Sequence, residues 1–503
     1  MLAKASLIVF LLVFCFSSAS GQTAIVCGKI SPLNGSKVYF IPEGGKSIFD
    51  LAMHTSHATD SVEPNSDGSF RMVVSRSRPG EFNLKYGADD IAYGCYLAPS
   101  DSLFVECDLA KESTIFSGTC AKYNDFLVAF RHKFFDGEVG DSLSASYKRL
   151  NVEDFLRMIA ARRKSMHEYF DSTFAGKQVS PEFRSFERAD IDYYCYAVPK
   201  LDYPGVHDYV THNDATTLVD DSYFDFPREI NLQDSGALIV PSYSWFLDKF
   251  IGEKWEQRSE RRRATGDSLA GLDQMSEKFK LCKKMLSGIF REIACAQVIK
   301  LDLTFLLMRS GSRLDSDRIA AKVRVDDFLS FARDSSMRAG VEALFQRTMG
   351  HLPGNPAPNF TLQDSSGRQV SLTDFKGKVV YLDFWATWCG SCMGEIESAK
   401  KLQQRMKGKD VVFLSVSVDA SIDEWKAMLR KKSMSGVQLI DTNGWESNAL
   451  SGYLLGGLPI YAIIDRNSKV VTMNANRPSQ PGIDEALLSA LKSNSISVRG
   501  VAR

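Results

Sequence analysis

The chain of 503 residues carries 61 basic and 61 acidic residues, so its formal net charge is zero and nothing in its charge balance points to nucleic acid or an anionic membrane surface. Hydrophobic residues make up 44% and charged residues 24%, the proportions of a soluble globular protein. The length is too great for one ordinary core, which predicts two or three domains.

Residues 1–21 read as an export signal. Lys4 supplies positive charge, Leu7 through Phe16 an apolar run too short to span a bilayer comfortably, and Ala19-Ser20-Gly21 the small residues of a cleavage position. The mature protein is expected to begin near Gln22, in the periplasm or cell envelope. From 22 to 122 short alternating strands follow: Ile25 to Ile30, Val38 to Ile41, Phe70 to Val74, Phe82 to Tyr86, Cys95 to Leu97 and Leu103 to Cys107, with a turn at Asp67-Gly68. The pattern predicts a β-rich N-terminal domain, an antiparallel β-sandwich or a small barrel.

Between 123 and 350 the period becomes helical, which predicts an all-α domain. Met275, Phe279, Cys282, Leu286, Ile289, Ile293 and Ala296 recur at steps of four and three, placing them on one face of a long helix. Phe155, Ile159, Met166 and Phe170 mark another, and such stripes are packing surfaces far more often than ligand sites. Asp192-Tyr193-Tyr194-Cys195-Tyr196 fits either a groove lining or a helix packed on both sides. His54 with His57, and His207 with His212, lack the acids or cysteines that would complete a metal site. The cysteines outside the C-terminal third sit in strand and helix patterns as small apolar residues would, so few or no structural disulfides are expected. Pro353, Pro356 and Pro358 mark the connection to a last domain, 351–503.

That last domain carries the chemistry. The apolar run Val379 to Trp388 leads directly into Cys389-Gly390-Ser391-Cys392. Two cysteines two residues apart, passing from a buried strand into the first turn of a helix, form a dithiol that can cycle with a disulfide. Unpaired N–H groups and the helix dipole stabilise negative charge there, so Cys389 is expected to be the attacking thiolate. A zinc site would need a second ligand pair, yet after residue 360 there is no other cysteine and no histidine, and Met393 stands where a haem-attachment motif needs histidine. Asp383 lies six residues before Cys389 on the same strand, where burial raises a carboxyl pKa toward neutrality. Glu395 lies one helical turn beyond Cys392. Pro459 precedes a second apolar strand, Ile460 to Asp465, and a cis X-Pro bond costs only about 0.5 to 1 kcal/mol.

Ala357-Pro358-Asn359-Phe360-Thr361-Leu362, Leu372 to Val380, Asp383-Phe384-Trp385-Ala386-Thr387-Trp388-Cys389 and Gly457-Leu458-Pro459 together resemble the TlpA/ResA-type thioredoxin-like reductases. The resemblance implies an α/β thioredoxin-like fold and disulfide exchange through Cys389 and Cys392. It further implies that Asp383 helps deprotonate Cys392, that Glu395 tunes the thiols, and that Pro459 is cis, with Leu458 and Trp388 bordering the bound substrate. No cofactor beyond the Cys389-Cys392 disulfide and no metal is implied. The implied partners are disulfide-containing envelope proteins, among them apocytochrome c before haem attachment, and a membrane thiol donor. Ser391, Glu397 and Ile460 depart from residues frequent in relatives, which bears on potential rather than on the reacting groups. Strongly oxidising relatives carry a histidine between the cysteines; Gly390-Ser391 lacks it, which favours a reductase. The segments Ser66 to Phe70, Leu97 to Leu103 and Phe116 to Gly118 resemble an uncharacterised β-domain found ahead of envelope thioredoxin-like proteins. Two rivals are a peroxiredoxin-like peroxidase, although the proline and spaced threonine of its site are missing, and an envelope binding protein with a vestigial redox domain.

Overall fold

Alternation of buried and exposed residues, period two, shapes the N-terminal region. The structure, a computed structural model, describes residues 23–492 apart from 45–47, 54–59, 77, 88, 137, 212–218, 220, 227–228, 265–272, 309–313, 420, 443–448, 450–452 and 454–457. The export signal expected at 1–21 lies outside the described residues, as do His54, His57 and His212. The chain forms two compact units, one comprising residues 1–298 and 328–339, the other 299–327 and 340–503.

The first unit contains strands β1 (Thr23–Ser31), β2 (Val38–Pro42), β3 (Asp60–Val62), β4 (Ser69–Ser75), β5 (Gly80–Tyr86), β6 (Asp89–Leu97), β7 (Ser102–Asp108) and β8 (Ser113–Gly118). They make two four-stranded sheets, ordered β4-β1-β7-β8 and β3-β2-β5-β6. Pairing is antiparallel as expected except between β1 and β7, which run parallel. The short strands β3 and β8 lie outside the runs read from sequence. Gly28 explains the close passage of β1 beside its neighbours: a Cβ there would sit 2.1 Å from the Val105 carbonyl oxygen and 2.7 Å from the Phe70 ring.

Helices complete this unit. Asn124, fully buried on the Ala121–Phe134 helix, accepts from the Tyr96 N–H at 2.7 Å and donates to the Tyr96 carbonyl at 3.1 Å, fastening the helix to β6. Phe155, Ile159, Met166 and Phe170 are all buried on the Val152–Thr173 helix, as their spacing predicts. The stripe from Met275 to Ala296 is not one helix, however. It is split between Gln274–Met285 and Gly288–Met308, because Leu286 turns extended (φ −124°, ψ 158°) and Gly288 takes a left-handed φ of +53°. The apolar spacing survives the break because Leu286 and Ile293 are both buried. Cys95, Cys107, Cys120, Cys195, Cys282 and Cys295 are buried thiols, none in a disulfide.

The second unit holds a seven-stranded sheet ordered β10-β9-β13-β12-β11-β14-β15. Its strands are β9 (Thr361–Asp364), β10 (Gln369–Ser371), β11 (Val379–Trp385), β12 (Val411–Ser417), β13 (Val437–Ile440), β14 (Ile460–Ile464) and β15 (Val470–Thr472). Central β11 pairs parallel with β12 and antiparallel with β14. One face packs Val380, Leu382 and Phe384, and the other packs Val379 and Tyr381 against Ile483 and Leu487 of the Ile483–Lys492 helix. Covered on both sides, the sheet is that of a thioredoxin-like α/β domain. Among the described residues no helix is long and apolar enough to cross a membrane.

Candidate active site

Strand β11 ends at Trp385, and the chain then turns into the Gly390–Arg405 helix with Cys389 as its N-cap. The Cys389 sulfur accepts the Cys392 N–H at 3.2 Å, and Ser391 Oγ lies 3.4 Å from it. A sulfur at this position receives one of the helix's otherwise unpaired donors and faces the positive end of its dipole. Cys389 and Cys392 are joined in a disulfide with their Cα atoms 5.2 Å apart. Both are buried, whereas neighbouring Trp388 is 58% exposed and forms a broad apolar rim beside them.

The approach to the dithiol is held by a residue the motif does not reveal. Asp419 is 2% exposed, and its carboxylate accepts the Thr387 N–H at 3.0 Å, the Thr387 hydroxyl at 2.7 Å and the Ser417 hydroxyl at 2.6 Å. Hydrogen bonds to a charged acceptor contribute about 1.5–3 kcal/mol each, so this carboxylate fixes the turn two residues before Cys389. Asp419→Ala should lower disulfide-reduction turnover in the full-length protein by about tenfold, with Asp419→Asn in between. Turnover equal to wild type in both variants would remove this positioning role.

Period two along β11 puts Asp383 on the same face as Tyr381, in register with Ser415 of β12 and Tyr461 of β14. Its Oδ2 accepts a long 3.5 Å contact from Ser415 Oγ, and its Oδ1 is shut off from solvent with no hydrogen-bond partner among the described residues. Burial therefore pushes the Asp383 carboxyl up to about 7, nearby Glu395 adding to the rise and Ser415 opposing it. Asp383, Cys392 and Glu395 line one small cavity of about 30 Å³, large enough to admit a water molecule. Glu395 is itself buried, and its carboxylate is held by Ser479, whose N–H donates at 3.0 Å and hydroxyl at 2.8 Å.

The Leu458–Pro459 bond is cis. Leu458 packs on the apolar cluster that contains Cys389 and Cys392, and Pro459 immediately precedes β14, so the segment is brought to the dithiol side of the core. Glu397, in place of a frequent proline, is exposed and pairs with Lys400 at 2.7 Å while the helix continues unbroken. The structure thus assembles Cys389, Cys392, Asp383 and Glu395 around one dithiol and its adjoining cavity. Asp419, Ser415 and Ser479 join them from segments 32, 32 and 84 residues distant from their partners. No local spacing announces such pairs, since each is made only when separate strands and loops meet.

A strand–dithiol–helix unit with a buried carboxyl across a small cavity can exchange disulfides by thiolate attack and internal resolution. Comparison with known proteins agrees. Residues 352–487 match the Redoxin family model. ResA, a thiol-disulfide oxidoreductase of Bacillus thuringiensis subsp. konkukian (strain 97-27), is 30% identical over 134 residues, spanning 27% of this chain and 76% of the relative. ResA of Bacillus cereus (strain ZK / E33L) is 32% identical over 118 residues, where the match spans 24% of this chain and 66% of that relative. Among solved structures, a thiol-disulfide oxidoreductase from Bacteroides fragilis NCTC 9343 is 27% identical with a TM-score of 0.24, over 27% of this chain and 98% of that one. With its matching segment confined to the C-terminal part, the chain belongs to the ResA-type thiol-disulfide oxidoreductases.

Proposed function

We propose that the protein is an exported reductase that reduces disulfides of envelope proteins, apocytochrome c among them, with Cys389 as the attacking thiolate. The observation that carries this reading is the Cys389 sulfur at the helix N-terminus, taking the Cys392 N–H at 3.2 Å while Cys392 borders the cavity lined by Asp383. In the forward reaction the Cys389 thiolate attacks one sulfur of the substrate disulfide, and the other substrate sulfur leaves as a thiolate. Asp383 takes the Cys392 proton through the cavity. The Cys392 thiolate then attacks the Cys389 sulfur, freeing the second substrate thiolate and leaving the enzyme disulfide. A membrane thiol donor returns the dithiol, and no cofactor beyond that disulfide takes part. Exposed Trp388, with Leu458 and Pro459, supplies the apolar border against which an extended substrate segment lies. The lack of a histidine between the cysteines supports the reducing direction, toward the thioredoxin end of the range near about −270 mV.

Substrate capture tests the proposal. Full-length Cys392→Ser expressed in a cell should accumulate mixed disulfides with exported proteins through Cys389, and mass spectrometry should identify paired-cysteine substrates, haem-attachment motifs among them. Failure to capture any exported protein, or capture of cytoplasmic proteins alone, would overturn the assignment to the envelope.

A further inference from the structure

The first unit encloses a cavity of about 500 Å³, within the range that small-molecule sites occupy. Its deep wall is acidic. Glu81 comes from β5, and Glu187 and Asp190 come from the Pro181–Asp192 helix three residues apart, so they point to the same side. Its mouth is aromatic: Tyr93 is 63% exposed, Tyr194 43% and Trp245 39%, and all three line it. Glu187 is only 1% exposed, faces the cavity, and among the described residues has no hydrogen bond or ion pair to its carboxylate.

The cations at this wall are few. Arg131 is committed to backbone, its guanidinium donating to the Gly94 carbonyl at 2.7 Å and the Tyr93 carbonyl at 2.8 Å. His132 is paired with Asp136 at 2.6 Å. Gly94, at φ +60°, makes the Arg131 contact possible, since a Cβ there would lie 2.6 Å from a guanidinium nitrogen and 2.8 Å from a Glu81 carboxylate oxygen. Asp190 accepts the Ser242 hydroxyl at 3.0 Å, which leaves Glu187 and Glu81 without a hydrogen-bond donor to their carboxyl groups among the described residues, Glu187 being the more deeply buried of the two. Burial, together with repulsion from Asp190 and Glu43, pushes Glu81 up to about 8. Burial first and Asp190 second hold Glu187 well above its ordinary range.

Buried acids facing one guanidinium are costly as packing elements, and an apolar interior of the same shape would be better accommodated. Among the described residues no three histidine, cysteine or acidic side chains converge closely enough to hold a metal ion. The acids are instead spread over a cavity whose open side is aromatic, the arrangement that favours a cation with an apolar body. We propose that this cavity binds an organic cation, an alkylammonium or guanidinium group on an apolar or aromatic body, with Glu187 as its counter-ion and Tyr93, Tyr194 and Trp245 flanking it. The group can be carried by a free amine or by a lysine or arginine side chain of an unfolded segment.

Isothermal titration of the full-length protein distinguishes these sources and tests the claim. Benzylamine should bind saturably, at least tenfold tighter than benzyl alcohol, which has the same shape without the charge. Glu187→Gln should weaken benzylamine at least tenfold while leaving insulin reduction and the far-UV circular dichroism spectrum unchanged, the unchanged spectrum serving as the check on folding of the first unit. Tyr93→Leu, at the exposed mouth, should weaken it several-fold and serves if the Glu187 variant does not fold. Tighter binding of N-acetyl-arginine amide and N-acetyl-lysine amide than of benzylamine would assign the site to polypeptide side chains, and the reverse order to free amines. Equal affinity for benzylamine and benzyl alcohol, benzylamine binding undiminished in both variants, or no binding by any of these cations would overturn the proposal.

Discussion

Cys389→Ser should abolish catalytic insulin reduction by the full-length protein, a loss on the order of 1,000-fold or more, because a serine hydroxyl at that position is not ionised and cannot attack a disulfide. The two thiols are not equivalent in the structure. Cys389 caps the helix and its sulfur takes an N–H at 3.2 Å with the Ser391 hydroxyl 3.4 Å away, whereas Cys392 lies inside the first turn and borders the Asp383 cavity. The proposed mechanism therefore places negative charge on Cys389 first. In the reduced protein, iodoacetamide at neutral pH should label Cys389 at least tenfold faster than Cys392, and Cys392→Ser should complete one attack and then stall as a mixed disulfide. Equal labelling of the two cysteines, or residual turnover of Cys389→Ser above about one tenth of wild type, would remove the assignment of the nucleophile.

The placement of the dithiol and of Asp383 was legible in sequence because their geometry is local. A buried strand, two cysteines and a helix start fall within fourteen residues, and period two alone puts Asp383 on the Tyr381 face. The cis bond at Pro459 was legible only through resemblance. What fixes the site was not legible. Asp419 follows β12 and meets Thr387 only because β11 and β12 pair in register, and Ser479 reaches Glu395 from beyond β15. Similar limits apply in the first unit. Alternation gave the main strands but cannot tell a parallel neighbour from an antiparallel one, so the β1–β7 pairing was hidden. The apolar stripe from Met275 to Ala296 ran through a helix end, because residues on both sides of the break face apolar surroundings; Gly288 was the available signal.

Asp383→Asn should separate stability from turnover. Burial raises the Asp383 carboxyl to about 7 in the folded protein, against about 3.9 in an unfolded chain. Below pH 4 the group is protonated in both states and favours neither. Between pH 4 and 7 the folded state holds a proton that the unfolded state has lost, so wild-type stability declines as pH rises through this window and levels off above pH 7. A difference of about three pH units corresponds to an order of 4 kcal/mol. Asparagine does not titrate, so the variant should match wild type at pH 4 and exceed it by up to that amount at pH 8. Hydrogen exchange of the β11 and β12 amides in the full-length protein reads the difference within the second unit itself. On the proposed mechanism the same substitution deprives Cys392 of its proton acceptor, so disulfide-reduction turnover at pH 7 should fall by about 100-fold, with mixed disulfides accumulating at the resolving step. Only a buried proton acceptor joins higher stability to slower resolution. A variant whose stability tracked wild type at every pH, or whose turnover was unchanged, would leave Asp383 as a strand residue without a part in the exchange.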